Sequence, residues 1–494
     1  MVWIWTVLSV FVFVYVLKKL LSPKNQKKLP PGPRGLPILG HFHLLSSNPH
    51  HDLRNLARKH GPIMGIRFGY VPTVIITSPA AAELILKTHD HVFASRPRND
   101  AAKYIGYEQR NLVSGPYGPY WRNMRKLVTW ELLSSHRITH FQPMRNAEIA
   151  LMIDAVKQVA QTRKPLDLSK TISGLSGDMN CLMVFGQKYS DLERVGFKSV
   201  IAETMELAAR FNLADYFPYI GVLDIQGINR RLKHLSKIFD GIVEKIIKDH
   251  VQKKQKDQPN EDFVDTMMSI LESGNAGFEF GHLHVKAILL DMLIAGTDTS
   301  ATSIEWTMSE LLRHPQVLKK LQKELEEVVG LDNMVNETHL DKLDYLYMVL
   351  KESLRLHPVA PLLIPHESME DCEVEGYFIP KKSQIIVNAW AIMRDPNVWP
   401  DPDTFNPERF RDNDMDVRGL DFRLIPFGSG RRGCPGMLLA LQVVRLVVAQ
   451  LVHSFDWELP DGIDPIKLDM SEHFGIVTNR AKPLMAIPKY RLHI

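Results

Sequence analysis

Three cysteines in 494 residues, Cys181, Cys372 and Cys434, are too few for a disulfide framework. Their odd number points to a reducing compartment or a reactive sulfur. Neither sign of charge dominates: 60 Lys and Arg stand against 56 Asp and Glu, a formal charge of +4. That balance gives no global footprint for nucleic acid, so any charged partner must be met by a local patch. The chain also lacks an internal repeat, a low-complexity tract, a flavin or nicotinamide fingerprint and an H-E-x-x-H pair. The histidine groups His41 with His43, His50 with His51, and His282 with His284 have no metal-site spacing. They read as surface or capping residues, and no second metal is expected.

The N-terminus does hold a long apolar run. Residues 1–17, MVWIWTVLSVFVFVYVL, carry no charge, and Leu20 and Leu21 extend the run if Lys18 and Lys19 snorkel. About 20 such residues span a bilayer as a helix. Six basic residues and no acid lie between Lys18 and Arg34, which places that flank, and the body after it, in the cytoplasm. A cleaved signal peptide would want a basic n-region and a small-residue cleavage site, and neither is seen. The expected organisation is a membrane anchor at 1–21, a basic and Pro/Gly-rich linker at 22–40 containing LPPGPRGLPILG, and a body at 41–494.

Within the body, residues 63–77 predict two short strands around a turn at Tyr70 to Pro72, after which Ser78 and Pro79 open a helix as cap and first-turn proline. The pattern is then mostly helical to about residue 357, broken by a solvated loop at 253–262. From 358 to 434 the chain is proline-rich and irregular, with β-like pieces such as SQIIVNAW, and an apolar helix follows at 436–454. The expected fold is mainly α with a minor β portion.

The stretch PFGSGRRGCPG, residues 426–436, surrounds one thiol with four glycines and two arginines. Pro435 suits the first position of a helix, so Cys434 should lie where unpaired N–H groups and the positive helix end favour a thiolate. Gly430, Gly433 and Gly436 would let the main chain approach the sulfur and a flat ligand over it. Arg432 could meet an anionic edge of that ligand. A lone cysteine disfavours zinc, while haem iron held by one thiolate fits; a glycine-rich turn around a buried cysteine is the plain alternative.

Phe427, Gly430, Arg432, Cys434 and Gly436 match F-x-x-G-x-R-x-C-x-G, and on this ground the chain resembles the cytochrome P450 family. Trp121 and Arg125 in YWRNMRK, AGTDTS at 295–300, Glu352 and Arg355 in KESLR, and PERF at 407–410 resemble further family motifs in the family's order. The wording is most similar to plant microsomal members. The resemblance implies the P450 fold behind an N-terminal transmembrane helix, with haem b ligated by Cys434. Trp121, Arg125, Ala295, His366, Phe427, Arg432 and Gly436 are the other residues it assigns to the cofactor, His366 sitting where the family often has arginine or histidine. Glu352, Arg355 and Arg409 are implied to brace the core rather than to catalyse.

On the helix expected at 282–313, Ile288, Met292, Ala295, Thr299 and Ser303 share a stripe. Ala295 and Gly296 would leave room above a flat cofactor. Thr299 bonding back to its own helix is one reading of that hydroxyl; the resemblance makes Thr299 a proton relay, assisted by Asp298. It further implies a monooxygenase that puts one atom of O2 into a substrate and releases the other as water. Electrons would come from NADPH through a membrane-bound reductase, with cytochrome b5 a second possible donor, docking near Arg122, Lys126, Arg423 and Arg431. Family position places the substrate pocket at 100–116, Met292, Ala295, Val359–Ile364 and Phe474–Val477, suiting a lipophilic terpenoid, phenylpropanoid or alkaloid. An O2-independent isomerase or dehydratase and a non-catalytic haem sensor are the rival functions. The implied location is the endoplasmic reticulum membrane with the catalytic domain cytosolic.

Overall fold

The computed structural model describes residues 27–188, 197–221, 223–254 and 261–494. The expected anchor at 1–21, the first residues of the 22–40 linker and most of the 253–262 loop lie outside them. The PPGPRG segment packs along the first strand rather than standing clear of the body. Gly65 N–H donates to the Pro31 carbonyl at 2.8 Å, and a Cβ on Gly32 would sit 1.8 Å from the Gly65 carbonyl oxygen, so only glycine permits the approach.

Helix α1 (Pro49–His60) starts on a first-turn proline and buries Leu53 and Ala57. Strands β1 (Ile63–Phe68) and β2 (Val71–Ile76) pair antiparallel, Ile63 opposite Ile76 and Phe68 opposite Val71. The turn is therefore Gly69–Tyr70, and Val71 and Pro72 belong to β2. Ser78 accepts from Ala81 N–H and Pro79 follows it, so that predicted helix start is observed.

Two later strands, β3 (His366–Glu367) and β4 (Gln384–Val387), complete a four-stranded sheet ordered β1-β2-β4-β3, with β2 and β4 parallel. SQIIVNAW is only half a strand: Asn388 accepts from Ala391 N–H and caps a short helix, Ala389–Ile392. A hairpin of β5 (Glu472–His473) and β6 (Asn479–Arg480) lies near the C-terminus.

Helices make the rest of the core. They include α2 (Pro119–Glu131), α3 (Leu168–Phe185), α4 (His282–Arg313), α5 (Asp344–Leu356) and α6 (Met437–Ser454). The 32-residue α4 has the predicted boundaries and packs against α3, α5 and α6. Ile288, Leu293, Trp306 and Leu311 on it are almost wholly buried. Burial of such side chains, at roughly 1.5–3 kcal/mol each, makes α4 the fixed reference for the site. Among the described residues α6 alone is long and apolar enough to cross a membrane, and most of it is buried in this core.

The histidine pairs divide. His284 caps α4, its Nδ1 accepting from Gly281 N–H at 2.9 Å, as expected. His50 contradicts the surface reading: it is fully buried, with Nε2 at 2.8 Å from Glu472. The cause is long-range, because α1 meets a hairpin more than 400 residues away in sequence.

Candidate active site

Cys434 lies at the end of a loop closed by its own backbone. Its N–H donates to the Phe427 carbonyl at 2.9 Å, and Gly433 N–H donates to Gly430 at 3.1 Å. Gly430 has φ +68°, and a Cβ there would meet the Leu86 carbonyl oxygen at 2.1 Å. Thus Gly430 serves docking on the 84–93 helical segment rather than approach to the sulfur. Asp90 secures that docking by accepting from Arg431, both at N–H (3.0 Å) and at Nη1 (2.9 Å).

Helix α6 begins at Met437 with Gly436 as its cap, so Pro435 precedes the cap instead of occupying the first turn. The expected environment survives the shift: Gly436 and Met437 direct N–H groups to the sulfur, and Arg125 adds positive charge. Sγ is open to a cavity yet deep within the molecule, and burial pushes the thiol above its ordinary value against those three influences. A bound metal cation reverses the balance and holds the sulfur as thiolate.

The cavity encloses about 1510 Å³. Three guanidinium groups, from Arg96, Arg125 and Arg432, gather on its wall. Arg432 donates to the carbonyls of Ala94 (2.6 Å), Leu112 (3.3 Å) and Gly115, and lies 3.9 Å over the Trp121 ring. Trp121 Nε1 donates to the same Leu112 carbonyl at 2.9 Å. Arg125 donates to Gly433 at 2.7 Å, and Arg96 to Val113 and Pro365. Among the described residues none of the three pairs with a carboxylate. Burial and the charges of Arg96 and Arg125 push Arg432 down to about 8, and burial pushes Arg96 down to about 9. Buried cations held only by carbonyls are costly unless an anion enters.

Arg96 was not legible in the sequence, where FASRP matches no chemical motif. His366 lines the cavity as expected, and burial, then Arg96 and Arg432, hold it well below its ordinary value. Its Nδ1 donates to the Phe93 carbonyl at 2.8 Å, which leaves Nε2 as an acceptor.

On α4, Ala295, Thr299 and Ser303 open onto the cavity, whereas Ile288 is buried in the core, so the predicted stripe is split between two tasks. Thr299 Oγ1 donates to the Ala295 carbonyl at 2.7 Å. Asp298, half-buried, is not among the cavity-lining residues. Gly296 lines the cavity with Ala295 and has a second task as well. A Cβ there would lie 2.5 Å from Asn180 Oδ1, so Gly296 admits Asn180 of α3, whose amide donates to the Leu293 carbonyl at 2.8 Å.

Behind the site Glu352 and Arg355 are fully buried and joined by two hydrogen bonds of 2.7 and 2.9 Å. Arg409 adds a third contact to Glu352 at 3.0 Å, which gives the expected three-residue brace. Of the four expected docking cations, Arg431 is paired with Asp90 and Arg423 with Asp421. Arg122 and Lys126 instead lie over the rings of Tyr117 and Trp130.

The donor set fits haem. One sulfur, a bare Gly436 whose missing Cβ would meet nothing within 4 Å, and an arginine edge without carboxylates match iron, a flat ring and two propionates. The cytochrome P450 family profile matches residues 30–486. This chain belongs to the cytochrome P450 family. The P450 is 50% identical over 480 residues to cytochrome P450 CYP736A12 of Panax ginseng, covering 96% of both chains. It is 42% identical to desmethyl-deoxy-podophyllotoxin synthase of Sinopodophyllum hexandrum, covering 97% of this chain and 95% of the other. It is 40% identical to flavonoid 3'-monooxygenase of Arabidopsis thaliana, covering 99% and 97%. The protein is a monooxygenase of the plant P450 type, with haem as the family's cofactor and O2 as its co-substrate.

Proposed function

We propose that this P450 oxygenates an apolar, ring-bearing plant specialised metabolite, with Cys434 as iron ligand and Thr299 as proton carrier. The carrying observation is that the Cys434 sulfur and the Thr299 hydroxyl open onto one cavity whose walls are mostly apolar, among them Ala360, Leu362, Leu363, Phe474 and Ile476. Burial of apolar substrate surface there drives binding. The flavonoid and podophyllotoxin names of the relatives agree with a terpenoid, phenylpropanoid or alkaloid of similar character.

Haem b, when bound, supplies the activation of O2 and the transfer of one oxygen atom to a C–H bond. The chain's own residues do the rest. Arg96, Arg125 and Arg432 would hold the propionates, Trp121 and Phe427 would pack beside the cofactor, and Gly436 would leave it space. Thr299 Oγ1 donates its proton to the Ala295 carbonyl, which leaves the oxygen able to accept a hydrogen bond; donating that proton inward requires breaking the 2.7 Å bond. Asp298 is assigned the role of resupplying it.

Electrons are assigned to an NADPH–cytochrome P450 reductase, with cytochrome b5 as a second donor, docking on the face that carries Arg122 and Lys126. The N-terminal run at 1–21 is assigned as a single-pass anchor in the endoplasmic reticulum, with the body in the cytosol. Reconstitution with reductase, NADPH and 18O2 tests the reading. One labelled oxygen in the product is expected, and Thr299→Ala should keep substrate binding while lowering product formed per NADPH consumed. Turnover without O2 or NADPH would establish the isomerase or dehydratase reading, and haem binding with no turnover on any lipophilic substrate the sensor reading.

A further inference from the structure

His50 sits behind the cavity wall and touches the β5–β6 hairpin twice. Its ring stacks on the Phe474 ring, centroids 5.4 Å apart and planes 20° from parallel, and Phe474 lines the cavity. Its Nε2 lies 2.8 Å from Glu472 Oε1, two residues earlier on β5. Nε2 donates to the carboxylate, and burial, opposed by Glu472, holds the ring below its ordinary value. The ring itself is anchored from α1: the His50 carbonyl accepts from Asn388 Nδ2 at 2.8 Å, and Trp390 meets the ring edge-on at 5.1 Å.

The far strand of the same hairpin is fixed independently. Thr478 N–H donates to the Val359 carbonyl at 2.9 Å, the Thr478 carbonyl accepts from Trp306, and Thr302 bonds Asn479. The hairpin tip, Phe474 to Val477, therefore hangs between two supports. On the β5 side the support is His50, joined by His51 Nε2 at 2.7 Å from the same Glu472 oxygen. Two imidazoles and a carboxylate also suggest a metal site. However, Arg54 and Arg394 both lie on the Trp390 ring beside them and oppose a dication.

We infer that His50 is a positioning residue for substrate selection, fixing the Phe474 ring at the cavity wall by stacking on it and by holding its strand through Glu472. This rests on the haem-cavity reading above, and the test separates the two. Type II spectral titrations of the holoenzyme would use two iron-ligating probes: imidazole, too small to reach the wall, and clotrimazole, whose three aryl rings extend from the iron toward it. His50→Ala should leave imidazole affinity unchanged and weaken clotrimazole about fivefold, the size of one aromatic contact. Phe474→Ala should do the same, and the double variant should be no worse than either single one. His50→Phe, which keeps the stack, should recover most of the clotrimazole affinity.

Unchanged clotrimazole binding in His50→Ala, or fully additive losses in the double variant, would overturn the inference. Equal loss for both probes would mean general damage to the fold and would overturn it too. Failure of the wild-type protein to shift with imidazole would instead count against the haem site itself.

Discussion

Arg125 Nη2 lies 2.7 Å from the carbonyl oxygen of Gly433, one residue before Cys434. One side chain of α2 thus steadies the thiolate loop while its charge faces the site that receives an anion. The neighbouring Arg432 does the same with three carbonyls. Cofactor capture and loop geometry are a single arrangement.

The first expectation concerns that arrangement. Arg432→Ala removes the proposed propionate partner and leaves the Ala94 and Gly115 carbonyls without their donor. Purified protein should contain much less haem per polypeptide, measured by pyridine haemochromogen assay, with helix content by circular dichroism retained. Full haem occupancy in the variant would mean the arginine edge is not where the anions bind.

The brace behind the site should be intolerant. Glu352→Gln leaves the buried Arg355 and the half-buried Arg409 without a counter-charge, at a cost of about 3–5 kcal/mol. The expected result is loss of soluble, haem-loaded protein, or a sharply lower Tm where some survives. A variant with wild-type Tm would show the network to be dispensable.

Gly296 gives a packing test. Gly296→Ala places a methyl 2.5 Å from Asn180 Oδ1 and should destabilise by about 1–3 kcal/mol in thermal unfolding. Adding Asn180→Ala should relieve the clash and recover part of the loss. If the single variant is neutral, the α3–α4 contact is looser than described.

A pH test follows from Asp215 at the cavity wall. Burial, with the Asp100 charge adding to it, pushes its carboxyl up to about 7, against an ordinary 3.8. The native state then holds this proton where the unfolded chain has released it. The group's stabilising contribution is full below pH 3.8 and is lost as pH rises through 7. Asp215→Asn cannot titrate, so its Tm relative to wild type should rise from pH 4 to 7 and level off above. A difference independent of pH would place Asp215 in water.

Local chemistry made much of this readable from the sequence. The Cys434 loop, the ends of α4 and the Ser78 cap rest on short spacings, the Glu352–Arg355–Arg409 brace on the family resemblance, and the structure shows each of them. What escaped depends on partners far along the chain. Arg96 gains its meaning from Arg432, some 340 residues later. Gly296 is explained by Asn180, and His50 by Glu472 and Phe474. The offset at Pro435 is smaller in kind: a helix cap moved by two residues while the N–H groups still reached the sulfur.

The most direct measurement is the reduced carbon monoxide difference spectrum of the purified holoprotein beside its Cys434→Ala variant. Wild type should show the red-shifted Soret band of thiolate-ligated haem, and the variant should lose that band together with NADPH-supported oxygenation. The same band and the same turnover in the variant would contradict the assignment of Cys434 as the iron ligand.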